Sequence, residues 1–334
     1  MSPTPSRREI GRGERVLPGL WRLRLPLPWP GVPHCNAWAI AAGDGVVLVD
    51  SGMHQPGSVA QLEQAMAQVG LALEQVQKLV ITHAHSDHWG QAGTVIDRSG
   101  CPMWMHPNHQ HATAGEADPE QALGRRVEVA RQSGVPEAAL QRYMEHLREM
   151  PSGIARVVEP DGALVDGVSV DTDLGVWQVY ETPGHAPSHV CLFQPERRLL
   201  ISGDHVLGRI SLYFDYGWTP DPIAEFLSSL DVVERLDPRL CMSGHGRTFT
   251  DVRAHIAGNR ELVTSRLEGA LQGLEDRSRT ALELVPAIFG EPITEETASW
   301  RLTETLCYLN HLERGGRIGR EPGQGGAELW RAEP

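Results

Sequence analysis

The chain has few cysteines, and their spacing suggests no paired function. Its 334 residues include five cysteines, and no CxxC motif occurs among them. A cysteine zinc site and a disulfide framework are both disfavoured, because the cysteines are odd in number and widely scattered. Reduced, buried thiols are the expectation, and they suit a cytoplasmic protein.

The sequence also lacks an excess of basic charge and long apolar runs. Its 30 Lys and Arg residues and 43 Asp and Glu residues give a formal net charge of −13. An acidic surface has no general attraction for a phosphate backbone, which disfavours nucleic acid as a partner, although a local basic strip would still bind one. The stretch Met1–Leu20 has charged residues and no apolar segment, so we expect neither a signal peptide nor a membrane span.

Short apolar runs alternate with helical patterns in the first part of the chain. Val46–Asp50 and Lys78–Thr82 are typical of buried strands, and Val59–Val69 between them has helical spacing. This alternation predicts a layered α/β fold.

Two later regions have a different composition. Residues 106–156 are rich in Ala, Glu, Gln and Arg, which indicates a helical insertion, and Val157–Val158 is a predicted strand after it. Beyond Asp251 the pattern becomes helical again, and a Gly-rich tail with Trp330 as its large apolar residue closes the chain. No internal repeat is present.

The densest group of metal-binding side chains is Thr82-His-Ala-His-Ser-Asp-His-Trp89, at the end of a predicted strand. His83 and His85 are two residues apart, so in an extended segment both point the same way and can bind one ion. Asp87 and His88 come where the chain turns into a helix, which directs them to a neighbouring position. Four strong ligands this close together indicate a metal site.

This HxHxDH string resembles the signature of metallo-β-lactamase-fold hydrolases, and other motifs of that family follow in the expected order. They are Asp50-Ser-Gly52, Pro183-Gly-His185, Ser202-Gly-Asp204 and Gly244-His245-Gly246. Five motifs in register make the resemblance specific over roughly Leu20 to Thr250. It implies a four-layer αββα sandwich in a hydrolase domain of residues 1–250.

The resemblance also implies a site for two metal ions. The implied ligands are His83, His85 and His185 for the first ion, Asp87, His88 and His245 for the second, and Asp204 between them. Imidazole and carboxylate ligands suit zinc, with iron or manganese as alternatives because carboxylates tolerate harder ions. Asp87 is in addition the candidate catalytic residue, as a proton shuttle to the leaving group.

Three residues near these motifs need separate interpretation. Asp50 is expected to orient a histidine or the loop of the first motif, with simple turn formation as the alternative. His189 is expected to pack or form hydrogen bonds rather than bind metal. For His205 a place at the rim of the site and a purely structural role both stay open.

A second histidine group, His106, His109 and His111, lies in a polar segment with no nearby carboxylate before Glu116. We expect a solvated loop leading into the insertion rather than a second metal site.

The C-terminal region has a resemblance of its own. Its helices, followed by Leu309-Asn-His-Leu-Glu-Arg-Gly-Gly-Arg-Ile318, are similar to the winged-helix-like appendage on a subset of these hydrolases. This implies a second unit at residues 251–334 and relatives of the glyoxalase II and thioesterase-like kind. A winged helix suggests DNA binding, but the acidic charge favours a lid, a dimerisation element or a scaffold wall.

The resemblance predicts hydrolysis of a carboxylic ester, lactone or thioester in a small-molecule substrate, with a metal-bridging hydroxide as nucleophile. A phosphodiesterase or ribonuclease is the first alternative, and a non-catalytic metal-binding module on the same fold is the second. No motif identifies substrate-binding residues, and a homodimer remains open.

Overall fold

Two β-sheets pack face to face between layers of helices in the computed structural model of the chain, which describes residues 10–29, 31–294 and 297–333. In the stretch Met1–Leu20 we expect neither a signal peptide nor a membrane span. Residues 1–9 of this stretch lie outside the described ranges.

The first sheet contains seven strands that are adjacent in the order of the sequence. They are β1 (Arg12–Leu17), β2 (Leu20–Trp29), β3 (Val32–Ala42), β4 (Gly45–Val49), β5 (Val76–Val80), β6 (Met103–Met105) and β7 (Gly162–Ala163). The strands β1 to β4 pair antiparallel, whereas β4 to β7 pair parallel. The parallel strands are connected through helices, as such crossovers require.

The second sheet contains five strands in the order β12-β11-β10-β9-β8. They are β8 (Ser169–Thr172), β9 (Gly175–Glu181), β10 (Val190–Gln194), β11 (Leu199–Gly203) and β12 (Leu240–Ser243). Only β11 and β12 pair parallel among these strands. Every residue of β10 and β11 is buried, which explains why both are almost continuously apolar.

Helices cover both outer faces and fill the insertion and the C-terminal region. The helices are α1 (Ser58–Ala67), α2 (Ser86–Trp89), α3 (Ala92–Ser99), α4 (Gln110–Ala117), α5 (Pro119–Gln132), α6 (Glu137–Glu149), α7 (Pro222–Leu236), α8 (Val252–Gln272), α9 (Ala281–Phe289) and α10 (Ala298–Arg314). The helices α4, α5 and α6 lie in the stretch where a helical insertion is predicted.

Three apolar clusters lie at the three interfaces of the sandwich. Leu62 of α1 belongs to the cluster on the outer face of the first sheet. Trp38 and Trp177 belong to the cluster between the two sheets. Phe226 of α7 and Tyr308 of α10 belong to the cluster on the outer face of the second sheet. The described residues thus form three cores between four layers, which is the architecture that the family resemblance implies.

The C-terminal region consists of α8, α9 and α10 followed by a hairpin of β13 (Ile318–Pro322) and β14 (Glu328–Ala332). Trp330 is buried, as its place in the tail predicts. Residues of all three helices belong to the same apolar cluster as the second sheet and the insertion helices. The region is thus packed onto the hydrolase fold through a shared core.

Two features differ from the sequence predictions. Val157–Val158 forms no strand, and Val157 is exposed, because the chain there joins neither sheet. The polar β1 and the tail hairpin are strands that the sequence does not predict.

Within the described ranges no helix is long and apolar enough to cross a membrane.

Candidate metal centre

The first histidine pair of the HxHxDH string meets a histidine from a distant loop. The string follows strand β5, whose last two residues are buried, and its own last residues form the short helix α2. His185 Nε2 lies 3.3 Å from His83 Nε2 and 3.0 Å from His85 Nδ1. These three ring nitrogens are close enough together to hold one metal ion.

A second group lies beside the first. His245 Nε2 is 3.2 Å from Asp87 Oδ2, and His88 Nε2 is 3.5 Å from the same oxygen. Asp87 and His88 come from α2, whereas His245 follows β12. These three residues are also spaced so that they are able to hold an ion.

Asp204 lies between the two groups, directly after β11. Its Oδ2 is 3.0 Å from His245 Nε2 and 3.8 Å from His185 Nε2, so one carboxylate reaches both groups. Gly244 makes this approach possible, since a Cβ at that position would collide with Asp204 Oδ1. All seven residues expected as metal ligands thus converge.

The outer ring nitrogens of the five histidines all have acceptors nearby, which fixes how the inner nitrogens face the site. The pairs are His83 Nδ1 with Thr82 Oγ1 (3.0 Å), His85 Nε2 with Asp215 Oδ2 (3.0 Å), His88 Nδ1 with Asp50 Oδ2 (2.8 Å), His185 Nδ1 with the Tyr213 carbonyl (2.9 Å) and His245 Nδ1 with the His34 carbonyl (2.8 Å). A proton on each outer nitrogen leaves a lone pair on each inner nitrogen. With all five rings in the neutral form that cation binding requires, the centre presents five lone pairs and two carboxylates to one small volume.

Two buried atoms of the centre are left without a hydrogen bond. His88 Nε2 and Asp204 Oδ1 have no hydrogen-bond partner among the described residues, and they face each other at 3.4 Å. A buried polar atom without a partner is costly. Divalent cations would satisfy both atoms, so the residues present fit metal ions.

The electrostatics differ between the two groups. Burial lowers the pKa of His83 well below its usual value and lowers the pKa of His185 to about 4, which keeps both rings neutral. Burial also disfavours a charge on His88 and His245, but the nearby Asp87 and Asp204 carboxylates outweigh it. They raise the pKa of His88 well above its usual value and that of His245 to about 10. The carboxylates thus create a place for positive charge.

Asp50 is hydrogen-bonded to His88, a member of the second group. Its carboxylate accepts hydrogen bonds from the backbone and hydroxyl of Thr82, at 2.8 and 2.9 Å, besides the one from His88 Nδ1. Asp50 is buried and has a left-handed backbone with φ of 63°, an unfavourable conformation for a residue other than glycine. His88 is therefore the histidine that Asp50 contacts, together with the strand end that carries the HxHxDH string.

Neither His189 nor His205 belongs to a group of described residues that is able to hold an ion. The Asp204 N–H donates to His189 Nε2 at 3.1 Å, and the other ring nitrogen of His189 contacts Thr182 Oγ1 at 2.8 Å. His189 thus forms hydrogen bonds, as predicted. His205 is buried, and its ring packs edge-on against Phe226 at 4.9 Å.

The expectation of a solvated loop at His106, His109 and His111 is wrong. All three side chains are largely buried, and His111 Nδ1 lies 2.9 Å from Asp215 Oδ2. The carboxylate missing from the local sequence is supplied by Asp215, which is more than 100 residues away in the chain. The polar composition therefore reflects buried hydrogen bonding rather than solvent.

Sequence reasoning missed Asp215 and Tyr213, which belong to a segment without regular structure between β11 and α7. The ring of Tyr213 packs against His85 and His185 at 5.8 Å from each. The available signal was the composition Tyr213-Phe-Asp-Tyr-Gly-Trp218, which has four aromatic residues within six positions in a chain that is only 6% aromatic. Such a concentration in a loop is unusual, because large aromatic residues normally pack in a core.

Comparison with known proteins agrees with this geometry. The sequence profile of the metallo-beta-lactamase superfamily matches residues 30–245. The chain belongs to this superfamily. It is 25% identical to the probable metallo-hydrolase YqjP of Bacillus subtilis over 281 residues, which are 82% of this chain and 86% of that protein. It is 22% identical to an atrochrysone carboxyl ACP thioesterase of Aspergillus chevalieri, over 88% of this chain and 80% of the other.

Solved structures resemble the chain over almost its whole length, including the C-terminal region. A metallo-beta-lactamase family protein from Thermus thermophilus has a TM-score of 0.81 at 26% identity, covering 96% of this chain and all of that one. A beta-lactamase domain protein from Burkholderia ambifaria has a TM-score of 0.78 at 27% identity, covering 99% and 96%. Fold, site and relatives together identify a metallo-hydrolase.

Proposed function

We propose that this metallo-hydrolase cleaves a carboxylic ester, lactone or thioester in a small-molecule substrate. The observation that carries the proposal is the convergence of two ligand groups on Asp204. Such a pair of groups is the arrangement that two-metal hydrolases use.

In this proposal His83, His85 and His185 hold one divalent ion, and Asp87, His88 and His245 hold the other, with Asp204 shared. Zinc fits the donor set best, and iron or manganese would also be accepted. Ions bound there would activate a water molecule as nucleophile and polarise the carbonyl oxygen of the substrate.

Asp87 is the residue of this centre best suited to carry a proton. Burial raises its pKa, but the adjacent His88 and His245 outweigh this effect and keep the pKa below its usual value. Asp87 is therefore a carboxylate at neutral pH. It can accept a proton from water and pass it to the leaving group as the carbon–oxygen or carbon–sulfur bond breaks.

Three observations favour a carbonyl substrate with an apolar part over a nucleic acid. Trp218 is 45% exposed, and its ring lies 6.3 Å from the ring of His111. His111 in turn contacts Asp215, which is hydrogen-bonded to His85. An exposed indole beside the centre offers contact area to an acyl or aromatic group. The net charge of −13 repels a polyanion, and a thioesterase is among the relatives that align over most of the chain.

The test is an assay of the zinc-loaded protein on an aryl ester, an acyl thioester, a lactone and a phosphodiester. We expect hydrolysis of at least one carbonyl substrate, which a chelator abolishes and added zinc restores. Asp204→Ala should lower kcat/KM at least about a thousandfold, because it removes a ligand shared by both groups. Asp171→Ala, an exposed aspartate on β8, is the matched control and should retain activity.

The same assay distinguishes the alternatives. Metal-dependent cleavage of the phosphodiester without any carbonyl hydrolysis would replace the proposal with a nuclease. A protein that binds metal and hydrolyses none of the four substrates would support a binding module.

A further inference from the structure

A series of hydrogen bonds connects the backbone of Ala84 in the HxHxDH string to the side chain of His85 in the same string. Its intermediate members are Ser188, His111 and Asp215. The Ala84 N–H donates to Ser188 Oγ at 3.0 Å, and Ser188 Oγ lies 2.8 Å from His111 Nε2. His111 Nδ1 is 2.9 Å from Asp215 Oδ2, and the same oxygen is 3.0 Å from His85 Nε2. His111 is the central link, and it comes from helix α4 of the insertion.

The directions of these hydrogen bonds follow from the donors available. The Asp215 carboxylate only accepts hydrogen bonds, so the proton of a neutral His111 is on Nδ1 and is donated to Asp215. His111 Nε2 then has a lone pair, to which the Ser188 hydroxyl donates while its oxygen accepts from Ala84. The Asp215 carboxylate accepts a second hydrogen bond from His85 Nε2. His85 therefore keeps its proton on Nε2 and turns the lone pair of Nδ1 towards His185.

This series of hydrogen bonds is shielded from water and is connected to the rest of the centre. The side chains of His111 and Asp215 are 2% and 14% exposed. The Asp215 N–H donates to the His185 carbonyl at 3.2 Å, and His185 Nδ1 bonds the Tyr213 carbonyl. The segment that carries Asp215 thus touches two of the three residues in the first ligand group, and His111 holds Asp215 from the far side.

We propose that His111 is a positioning residue of the metal centre: through Asp215 it fixes the tautomer and orientation of His85. This inference rests on metal binding in the proposed function but not on which substrate is hydrolysed. It makes the helical insertion part of the metal centre. A rival arrangement exists, since His85, His111 and Asp215 are themselves close enough to surround an ion. Both imidazoles already contact one oxygen of Asp215, which favours hydrogen bonding.

The experiment measures zinc affinity at the first ligand group by chelator competition, with the Co2+-substituted absorption spectrum as a second readout. Asp215→Asn and His111→Ala should each weaken binding by about tenfold to a hundredfold and alter the Co2+ spectrum. His109→Ala is the matched control, because His109 is buried on the same segment and its Nδ1 lies 3.2 Å from Thr113 Oγ1 rather than at Asp215. It should leave affinity unchanged.

Two further variants separate positioning from simple packing. In His111→Asn the amide nitrogen takes the place of Nδ1 and still donates to Asp215. If this hydrogen bond to Asp215 is what positions His85, the zinc affinity should return to within about threefold of wild type. In His111→Gln the amide takes the place of Nε2, so affinity should stay as low as in the alanine variant. The folding of each apo protein is followed by circular dichroism, and the Asn and Gln pair still decides the question if the alanine variant is unstable.

Unchanged zinc affinity in His111→Ala, or equal affinities in the Asn and Gln variants, would overturn the proposal. So would a third equivalent of zinc that His111→Ala removes, since this would establish the rival ion site. Because the readout is metal binding, a wild-type protein that binds zinc without hydrolysing any ester or thioester would contradict the proposed function and leave this inference intact.

Discussion

Glu304 is a buried carboxyl group that belongs to none of the candidate ligand groups among the described residues. Its side chain is 3% exposed on α10, where the Tyr308 hydroxyl donates to it at 2.8 Å. Burial raises its pKa to about 7, although the hydrogen bond from Tyr308 and the charges of Arg266 and Arg301 oppose the shift. The folded protein therefore keeps this proton at pH values where the unfolded chain has released it.

This pKa predicts a stability that falls as the pH rises. From an ordinary glutamate pKa near 4.5 up to about 7, the unfolded state loses the proton first, and the free energy of unfolding should decrease by roughly 3 kcal/mol over this window. Glu304→Gln should remove this contribution, so its stability relative to wild type should rise from pH 5 to pH 8 in urea unfolding. The exposed Glu275→Gln is the control. Parallel pH profiles for wild type and Glu304→Gln would contradict the assignment.

The convergence of the seven candidate ligands was predictable from sequence because each lies in a short motif. Four ligands fall within the HxHxDH string, and the others follow glycine-containing turns at strand ends. Asp215 and His111 were not predictable, since they acquire a role only through contact with each other and with His85 across distant segments. A local pattern carries no information about such long-range hydrogen bonds.

At the scale of elements, the hairpin of β13 and β14 attaches the end of the chain to the C-terminal helices. Trp330 exchanges two backbone hydrogen bonds with Arg279, at 2.8 and 2.9 Å. Its ring is 1% exposed, and the Arg320 guanidinium lies 4.7 Å above it. Trp330 thus links the hairpin to the shared core.

We expect Trp330→Ala to lower the free energy of unfolding by about 3–5 kcal/mol, because it leaves a large cavity in this core. Arg331→Ala, the exposed neighbour, should change it by less than about 1 kcal/mol, since its ion pairs are at the surface. Urea unfolding measures both. A tryptophan variant as stable as the arginine variant would show that the hairpin contributes little.

Elements with an apolar run or stripe were easier to predict than polar ones. The predicted strands Val46–Asp50 and Lys78–Thr82 correspond to β4 at Gly45–Val49 and to β5 at Val76–Val80. The hairpin β13 and β14 and the first strand β1 are rich in charged residues, so no apolar alternation marks them. Their pairing depends on neighbouring strands rather than on local composition.

At the scale of the whole molecule, the insertion and the C-terminal region contact each other. The Leu282 N–H donates to the Ser133 carbonyl at 3.0 Å, which connects α9 to the end of α5. Leu123 and Leu140 of the insertion join the same apolar cluster as the C-terminal helices. The division into units at residue 250 and a homodimer stay predictions.

The most direct test of the account is the metal stoichiometry of the purified protein, measured by elemental analysis after dialysis against limiting zinc. The account predicts about two zinc ions per chain in wild type, as expected for two ligand groups that share a carboxylate. It predicts about one ion in His185→Ala and about one in His245→Ala, with hydrolysis strongly reduced in both. Wild-type protein that binds no zinc, or that remains equally active after complete removal of metal, would contradict it.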